Sequence, residues 1–223
     1  MRRRQSPAPP DQLATLIRPI QVLTGRDPTP QETERFARYL QLLVEWNRTH
    51  RLTGVRSAEA IVADLFVDSL LFLSALPSDA IAVADLGTGP GIPGVPLRIV
   101  RKDISLTLVE SKRKRVSFLA TLKRELELTD VLVLEARAEE LIEDRPEIGG
   151  TFDVVVARAV GSSMIRIAMS YLRPGGLFLA GGSSSNRGRH ASTFDDSPGM
   201  QRETIVFDQL GLERTFVVSR KPS

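Results

Sequence analysis

The residues best suited to chemistry lie in the stretch Asp85-Leu86-Gly87-Thr88-Gly89-Pro90-Gly91-Ile92-Pro93-Gly94. It follows the apolar run Ile81–Leu86 and leads into a helical pattern. Glycines at a strand end let the backbone turn tightly and approach a ligand without Cβ interference. In open α/β sheets, ligands lie beyond the carboxyl ends of the strands, where this loop falls. A plain Gly/Pro-rich turn is the competing reading. Glu110 closes the next apolar run and offers two acceptors suited to a ribose diol. A solvated strand-end Glu is the plainer alternative.

Two ligands compete for such a site. Gly89 to Gly94 satisfies the dinucleotide pattern G-x-G-x-x-G, with Glu110 about where a ribose-binding acid belongs. Yet Pro93 and Pro96 remove backbone donors where a pyrophosphate would need them. S-adenosylmethionine carries no phosphate and needs a pocket for a sulfonium amino acid plus a carboxylate for the ribose. The residues favour it over a dinucleotide.

Composition narrows the chemistry further. The chain has 223 residues, 42% of them hydrophobic, and no cysteine. Thiolate nucleophiles, Cys-ligated zinc, iron–sulfur clusters and disulfides are excluded. With only His50 and His190, a multi-histidine metal site is excluded as well, and no metal is expected. The net charge of +3 permits nucleic-acid binding without demonstrating it. No apolar run approaches the ~18 residues of a membrane span, and no signal peptide is evident.

Several elements must hold these residues. Met1 to Pro10, rich in Arg and Pro, reads as a disordered tail. From Asp11 to about Leu76 the pattern is helical. Thr29-Pro30-Gln31-Glu32 is a capping box with proline in the first turn, followed by Phe36, Leu40, Leu43 and Trp46 on one face. Ser57 caps a further helix through Ile61, Leu65, Phe66, Leu70 and Leu73. From about Ala80, β-branched runs alternate with helical stretches. Ile81–Leu86, Ile104–Val109, Val131–Leu134 and Phe152–Val156 read as strands buried on both faces, as in a parallel sheet, and Leu177–Ala180 as a further strand. A helix is expected over Ser111 to Leu128, and another ends at Tyr171-Leu172-Arg173-Pro174-Gly175-Gly176. Thr204–Phe207 and Thr215–Ser219 lack a helix between them, so one of the two should run antiparallel. Gly181 to Gly199 reads as a mobile loop. The fold class is α/β, an open doubly wound sheet.

At this point the chain resembles the small-subunit ribosomal RNA methyltransferase G family, also called glucose-inhibited division protein B. The matching segments run along nearly the whole chain. They are Trp46-Asn47 with Leu52-Thr53, Asp68-Ser69, Asp85 to Gly94, and Val109-Glu110-Ser111 with Lys114-Arg115 and Phe118-Leu119. Arg137-Ala138-Glu139-Glu140, Ala157-Arg158-Ala159-Val160, Pro174-Gly175-Gly176 and Glu213-Arg214 complete the series. Each is weak alone; their order and spacing are specific.

The resemblance implies a Rossmann-like class I S-adenosylmethionine-dependent methyltransferase sheet, mostly parallel, with seven strands and an antiparallel last strand. A helical extension over 11–77 would precede the methyltransferase domain at 78–223. It implies methylation of N7 of a guanine in the 530 loop of 16S rRNA, hence the 30S subunit as partner, a cytoplasmic location and no membrane. Gly87, Gly89 and Ile92 would line the cofactor pocket. Glu110 and Ala138-Glu139 would hold the nucleoside, and Arg158 would sit near cofactor and target base. Monomeric assembly is expected.

The chemistry agrees with that target. Guanine N7 carries a lone pair and no proton, so no catalytic acid or base is expected; alignment and field supply the rate. Pyrimidine C5 methylation typically uses a cysteine, and exocyclic amine methylation an Asn/Asp-Pro-Pro-aromatic segment where this chain has Ala157-Arg158-Ala159-Val160. For RNA, Lys112, Arg113, Lys114 and Arg115 place cations at a helix start, where they are disfavoured unless an external anion is met; an ordinary solvated face is the equally weighted alternative. Arg48, Arg51 and Arg56 add charge. Trp46 is assigned to the core, and His50 and His190 to the surface. Three departures from the family pattern stand out: Leu65 where histidine is usual, Gly181-Gly182 where Lys-Gly is usual, and Arg51 for a common asparagine. Leu65 and Gly181 motivate one competing function, a small-molecule methyltransferase that lost ribosomal recognition; a non-catalytic RNA-binding or cofactor-sensing module on the same scaffold is a second alternative.

Overall fold

The computed structural model describes residues 10–79, 82–158, 163–181 and 200–222. Most of the expected tail and of the Gly181–Gly199 loop, including Gly182 and His190, lies outside these residues, as do Ile81, Ala159 and Val160.

Helices α1 (Pro10–Thr24) and α2 (Pro30–His50) open the chain. The Thr29 capping box forms as its sequence dictates: the hydroxyl accepts from Glu32 N, and Glu32 accepts from Thr29 N. Arg26 covers the buried Glu32 carboxylate at 2.7 Å. Ser57 caps the next helical stretch, which is not uniform. Helix α3 (Ala58–Ile61) passes into a π-helical turn, Val62–Val67, then α4 (Asp68–Leu70) and a 3₁₀ turn, Leu71–Ser74. Such π segments occur often at functional sites.

The α/β part alternates as expected: β1 (Ala82–Leu86), α5 (Gly94–Val100), β2 (Ser105–Glu110), α6 (Arg113–Glu125), β3 (Val131–Glu135) and α7 (Ala138–Asp144). Next come β4 (Phe152–Arg158), α8 (Ser163–Tyr171), β5 (Leu172–Gly181), β6 (Met200–Phe207) and β7 (Leu212–Arg220). One expected boundary is wrong. Pro174-Gly175-Gly176 lies inside β5, not before it, because Leu172 already pairs with Phe152 and the irregularity is absorbed by a register shift.

The sheet order is β3-β2-β1-β4-β5-β7-β6. Strand β7 runs antiparallel between β5 and β6, so the antiparallel strand is the last in sequence. Alternate strand residues feed opposite faces. Val83, Leu106, Leu108, Val154, Val156 and Leu179 share one core with the N-terminal helices, α5 and α6. Ala84, Leu86, Val109, Val155, Ala157 and Phe178 face α7 and α8. The N-terminal helices are therefore a structural layer of the sheet. Among the described residues, no helix is long and apolar enough to cross a membrane.

Candidate functional site

Strands β1 to β5 run parallel, so Leu86, Glu110, Glu135, Arg158 and Gly181 end at one edge of the sheet. The loop from Gly87 to Pro93 leaves the middle of that edge.

Asp85 organises the loop from beneath. It is buried, and its Oδ2 accepts from Thr88 Oγ1 at 2.7 Å and from Gly94 N at 2.8 Å. One carboxylate oxygen thus ties both ends of the loop, while the buried Oδ1 has no partner. Burial pushes the carboxyl up to about 7, against the pull of the Thr88 and Gly94 hydrogen bonds, with Glu110 adding a smaller upward push. By sequence Asp85 is only one residue of the motif; its alternation into a buried strand position is the signal that it is structural to the loop.

Glu110 is no solvated strand end. It is 4% exposed and accepts from Gly89 N at 3.0 Å, Lys112 N at 2.8 Å and Arg115 Nη1 at 3.3 Å. Arg115, expected among the RNA-facing cations, is instead half-buried against Glu110, because its helical position turns it under the loop. Lys112, Arg113 and Lys114 remain exposed.

Every backbone N–H from Gly87 to Val95 has an internal acceptor. Gly87 and Thr88 donate to Val109 O, Gly89 to Glu110, Gly91 and Ile92 to Thr88 O, Gly94 to Asp85 and Val95 to Gly91 O. Pro90 and Pro93 have none to give. Nothing in this loop cradles a phosphate, unlike the helix N-terminus of a dinucleotide fold. What it offers is acceptors.

A residue that sequence reading missed holds the loop crest. Tyr39 of α2 is fully buried against Phe66, with ring centroids 4.7 Å apart, and donates to Pro90 O at 2.6 Å. Gly91, at φ +99°, must lack a side chain there, since an added Cβ would fall 2.9 Å from the Tyr39 hydroxyl. Burial holds the Tyr39 phenol well above its usual range.

The remaining candidates line the same edge. Gly87 is exposed in the loop, and Ile92 is buried beneath it. Ala136 N donates to Glu110 O, which brings the start of α7 beside Glu110. Ala138 is buried there, its carbonyl accepting from Tyr171 Oη at 2.7 Å, and Glu139 is exposed. Arg158 is not a surface cation. Its side chain is 10% exposed and donates from Nη2 to Asp64 O at 2.5 Å and to Asp68 Oδ2 at 3.1 Å. Trp46 is half-buried, edge-on to Phe118 at 5.6 Å, and packs on the exposed His50.

Of the two family-pattern departures in the core, Leu65 is buried, 5% exposed. Gly181 lies under Phe72: an added Cβ would fall 2.6 Å from its Cζ. Phe72 in turn packs edge-on against Phe216, with centroids 5.0 Å apart.

The chain is similar to known proteins in sequence and in fold. The model of the rRNA small subunit methyltransferase G family matches residues 32–193. The chain is 42% identical over 151 residues to a ribosomal RNA small subunit methyltransferase G of Desulfitobacterium hafniense, covering 67% of this chain and 62% of that protein. It is 45% identical over 145 residues to one of Xanthomonas oryzae pv. oryzae, covering 64% and 65%. These matches span less than two thirds of the relatives' own length. Among solved structures, cofactor-bound Rv0187 from MTB is 20% identical with a TM-score of 0.61, covering 98% of this chain and 100% of that one. A precorrin-6y C5,15-methyltransferase from Geobacter metallireducens is 15% identical with a TM-score of 0.52, covering 69% and 87%. Both likenesses show the fold alone, the class I methyltransferase sheet.

Proposed function

Because this chain belongs to the rRNA small subunit methyltransferase G family, we propose that it uses S-adenosylmethionine to methylate N7 of a guanine in the 530 loop of 16S rRNA. The observation that carries the cofactor assignment is the full internal engagement of the loop's N–H groups beside two buried carboxylates. Such a site repels a pyrophosphate and suits a cationic sulfonium amino acid joined to a ribose.

When bound, S-adenosylmethionine supplies an electrophilic methyl group on sulfur. The chain's own residues bind and orient. Glu110 Oε1 accepts one hydrogen bond and Oε2 two, and the 3.3 Å contact to Arg115 is the longest of the three. With the long Arg115 contact released, the Glu110 carboxylate would have an acceptor on each oxygen for the ribose hydroxyls. Ala138 and Glu139 would flank the adenine, the small Ala138 leaving room for a ring. Gly87, Gly89 and Ile92 would line the methionine side, and the acceptor-rich loop with Asp85 beneath it favours positive charge. Arg158 orders the reacting region. No residue need remove a proton, since N7 has none; positioning and electrostatics supply the rate. Lys112 and Arg113, exposed at the start of α6, contact the RNA backbone. The substrate is the small ribosomal subunit and the setting the cytoplasm. The helical extension at 11–77 serves the methyltransferase domain at 78–223.

One assay tests the reading. The protein is incubated with labelled S-adenosylmethionine and 30S subunits from a strain lacking this methylation, and the RNA is cleaved at 7-methylguanosine with borohydride and aniline. Label in 16S rRNA with a single cleavage in the 530 loop is expected. Cofactor binding without any RNA label would hand the chain to the small-molecule alternative.

A further inference from the structure

Asp68, on α4 of the helical extension, divides its carboxylate between two arginines from distant strands. Its Oδ2 lies 3.1 Å from Arg158 Nη2 at the end of β4, and its Oδ1 lies 2.5 Å from Arg214 Nε on β7. The Asp68 side chain is 2% exposed, and those of Arg158 and Arg214 are 10% and 22%. Four residues before Asp68, the carbonyl of Asp64 in the π-helical turn takes a second hydrogen bond from the same Nη2. Among the described residues, both contacts that hold Arg158 therefore come from the helical extension and meet at one corner of the guanidinium. Nε, whose N–H lies on the same edge of the guanidinium as Nη2, is buried without a partner among the described residues.

This arrangement is an expensive one to keep as mere scaffolding. Two guanidiniums share one buried carboxylate, and an apolar replacement of such a group often stabilises a fold as well as or better than the ions do. What the ions provide is orientation: a carboxylate in contact with two planar forks leaves each with few rotamers. Arg158 needs that restraint most, because it stands at the ligand edge, where β4 lies between the glycine-loop strand β1 and β5.

We propose that Asp68 is a positioning residue for methyl transfer, fixing the Arg158 guanidinium at the ligand edge with Arg214 as its counterweight. Asp68 itself contacts neither cofactor nor target base. The inference rests on the proposed role of Arg158 in ordering the reacting region, and its test separates the two.

The test is a double-mutant cycle on methyl transfer to 30S subunits, with thermal unfolding of each variant as the control for folding. Asp68→Asn alone is expected to lower kcat/KM about a hundredfold, the scale of an ångström-sized misplacement. In the Arg158→Ala background the same change is expected to cost almost nothing further, because the group it acts through is gone. A merely structural Asp68 would instead show its full loss in both backgrounds, and that additivity overturns the proposal while leaving the role of Arg158 standing. Unaltered kcat/KM in Asp68→Asn overturns it too. Unaltered kcat/KM in Arg158→Ala overturns the role of Arg158 and this proposal with it. Should Asp68→Asn fail to fold, Arg214→Gln replaces it in the cycle. That change leaves the Asp68–Arg158 pair without its counterweight, so a several-fold loss that vanishes with Arg158→Ala supports the proposal, and an additive loss or none refutes it.

Discussion

The phenol of Tyr39 and the carbonyl of Pro90 meet at 2.6 Å in the buried interior, so a helix outside the sheet holds the crest of the ligand loop. The contact couples loop geometry to the packing of α2. Tyr39→Phe keeps the ring and its contact with Phe66 but leaves the Pro90 carbonyl unpaired. A buried unsatisfied acceptor costs about 1–3 kcal/mol. The urea midpoint should fall accordingly with an unchanged m-value, and calorimetry should find S-adenosylmethionine bound several-fold more weakly.

Glu110 serves the fold and the ligand together. Glu110→Ala strips the buried Gly89 amide of its acceptor and removes the proposed ribose contact. Stability should drop by about 1–3 kcal/mol, and cofactor affinity by at least tenfold. An unchanged calorimetric affinity would sink the ribose assignment even if the melting temperature fell.

Asp85 predicts a pH dependence. Its folded value of about 7 lies above the ordinary 3.8, with burial as the main cause, so between about pH 4 and 7 the folded chain holds a proton that the unfolded chain has released. Its contribution to stability therefore falls as pH rises through that window and is level above it. A cationic ligand favours the ionised form, so S-adenosylmethionine should bind more tightly as pH rises from 6 to 8, with proton release visible in buffers of different ionisation enthalpy. Asp85→Asn should flatten both trends.

Gly181 has no room for a side chain. Gly181→Ala drives a methyl group into the Phe72 ring and, as overpacking, should cost about 1–3 kcal/mol. Phe72→Leu should recover part of that loss in the double variant, measured by denaturant unfolding. Additive losses would show that Phe72 is not the obstacle.

The exposed cations at the start of α6 should act on RNA alone. Replacing the Lys112 and Arg113 side chains with alanine leaves the Lys112 amide on Glu110. Affinity for 30S subunits should weaken, with the salt slope reduced by about one per lost phosphate contact. Cofactor affinity should be unaffected.

Much of this was legible in the chain itself. Short, β-branched apolar runs specified a sheet buried on both faces, the Thr29 and Ser57 caps marked two helix starts, and the glycines with their prolines marked a loop that refuses phosphate. These are local signals, set by backbone sterics and residue periodicity, and they survive without tertiary context. The contacts that finish the site are of another kind. Tyr39 meets Pro90 across 51 residues, Arg158 meets Asp64 across 94, and Arg214 meets Asp68 across 146. No periodicity records such pairs; they exist only once β4 is laid beside β1, β7 is inserted next to β5 and the N-terminal helices close over one face. The turning of Arg115 inward onto Glu110, and the filling of the space beside Gly181 by Phe72, were decided in the same way. Sequence determined which groups the site would contain, and packing determined which of them face a ligand and which hold one another.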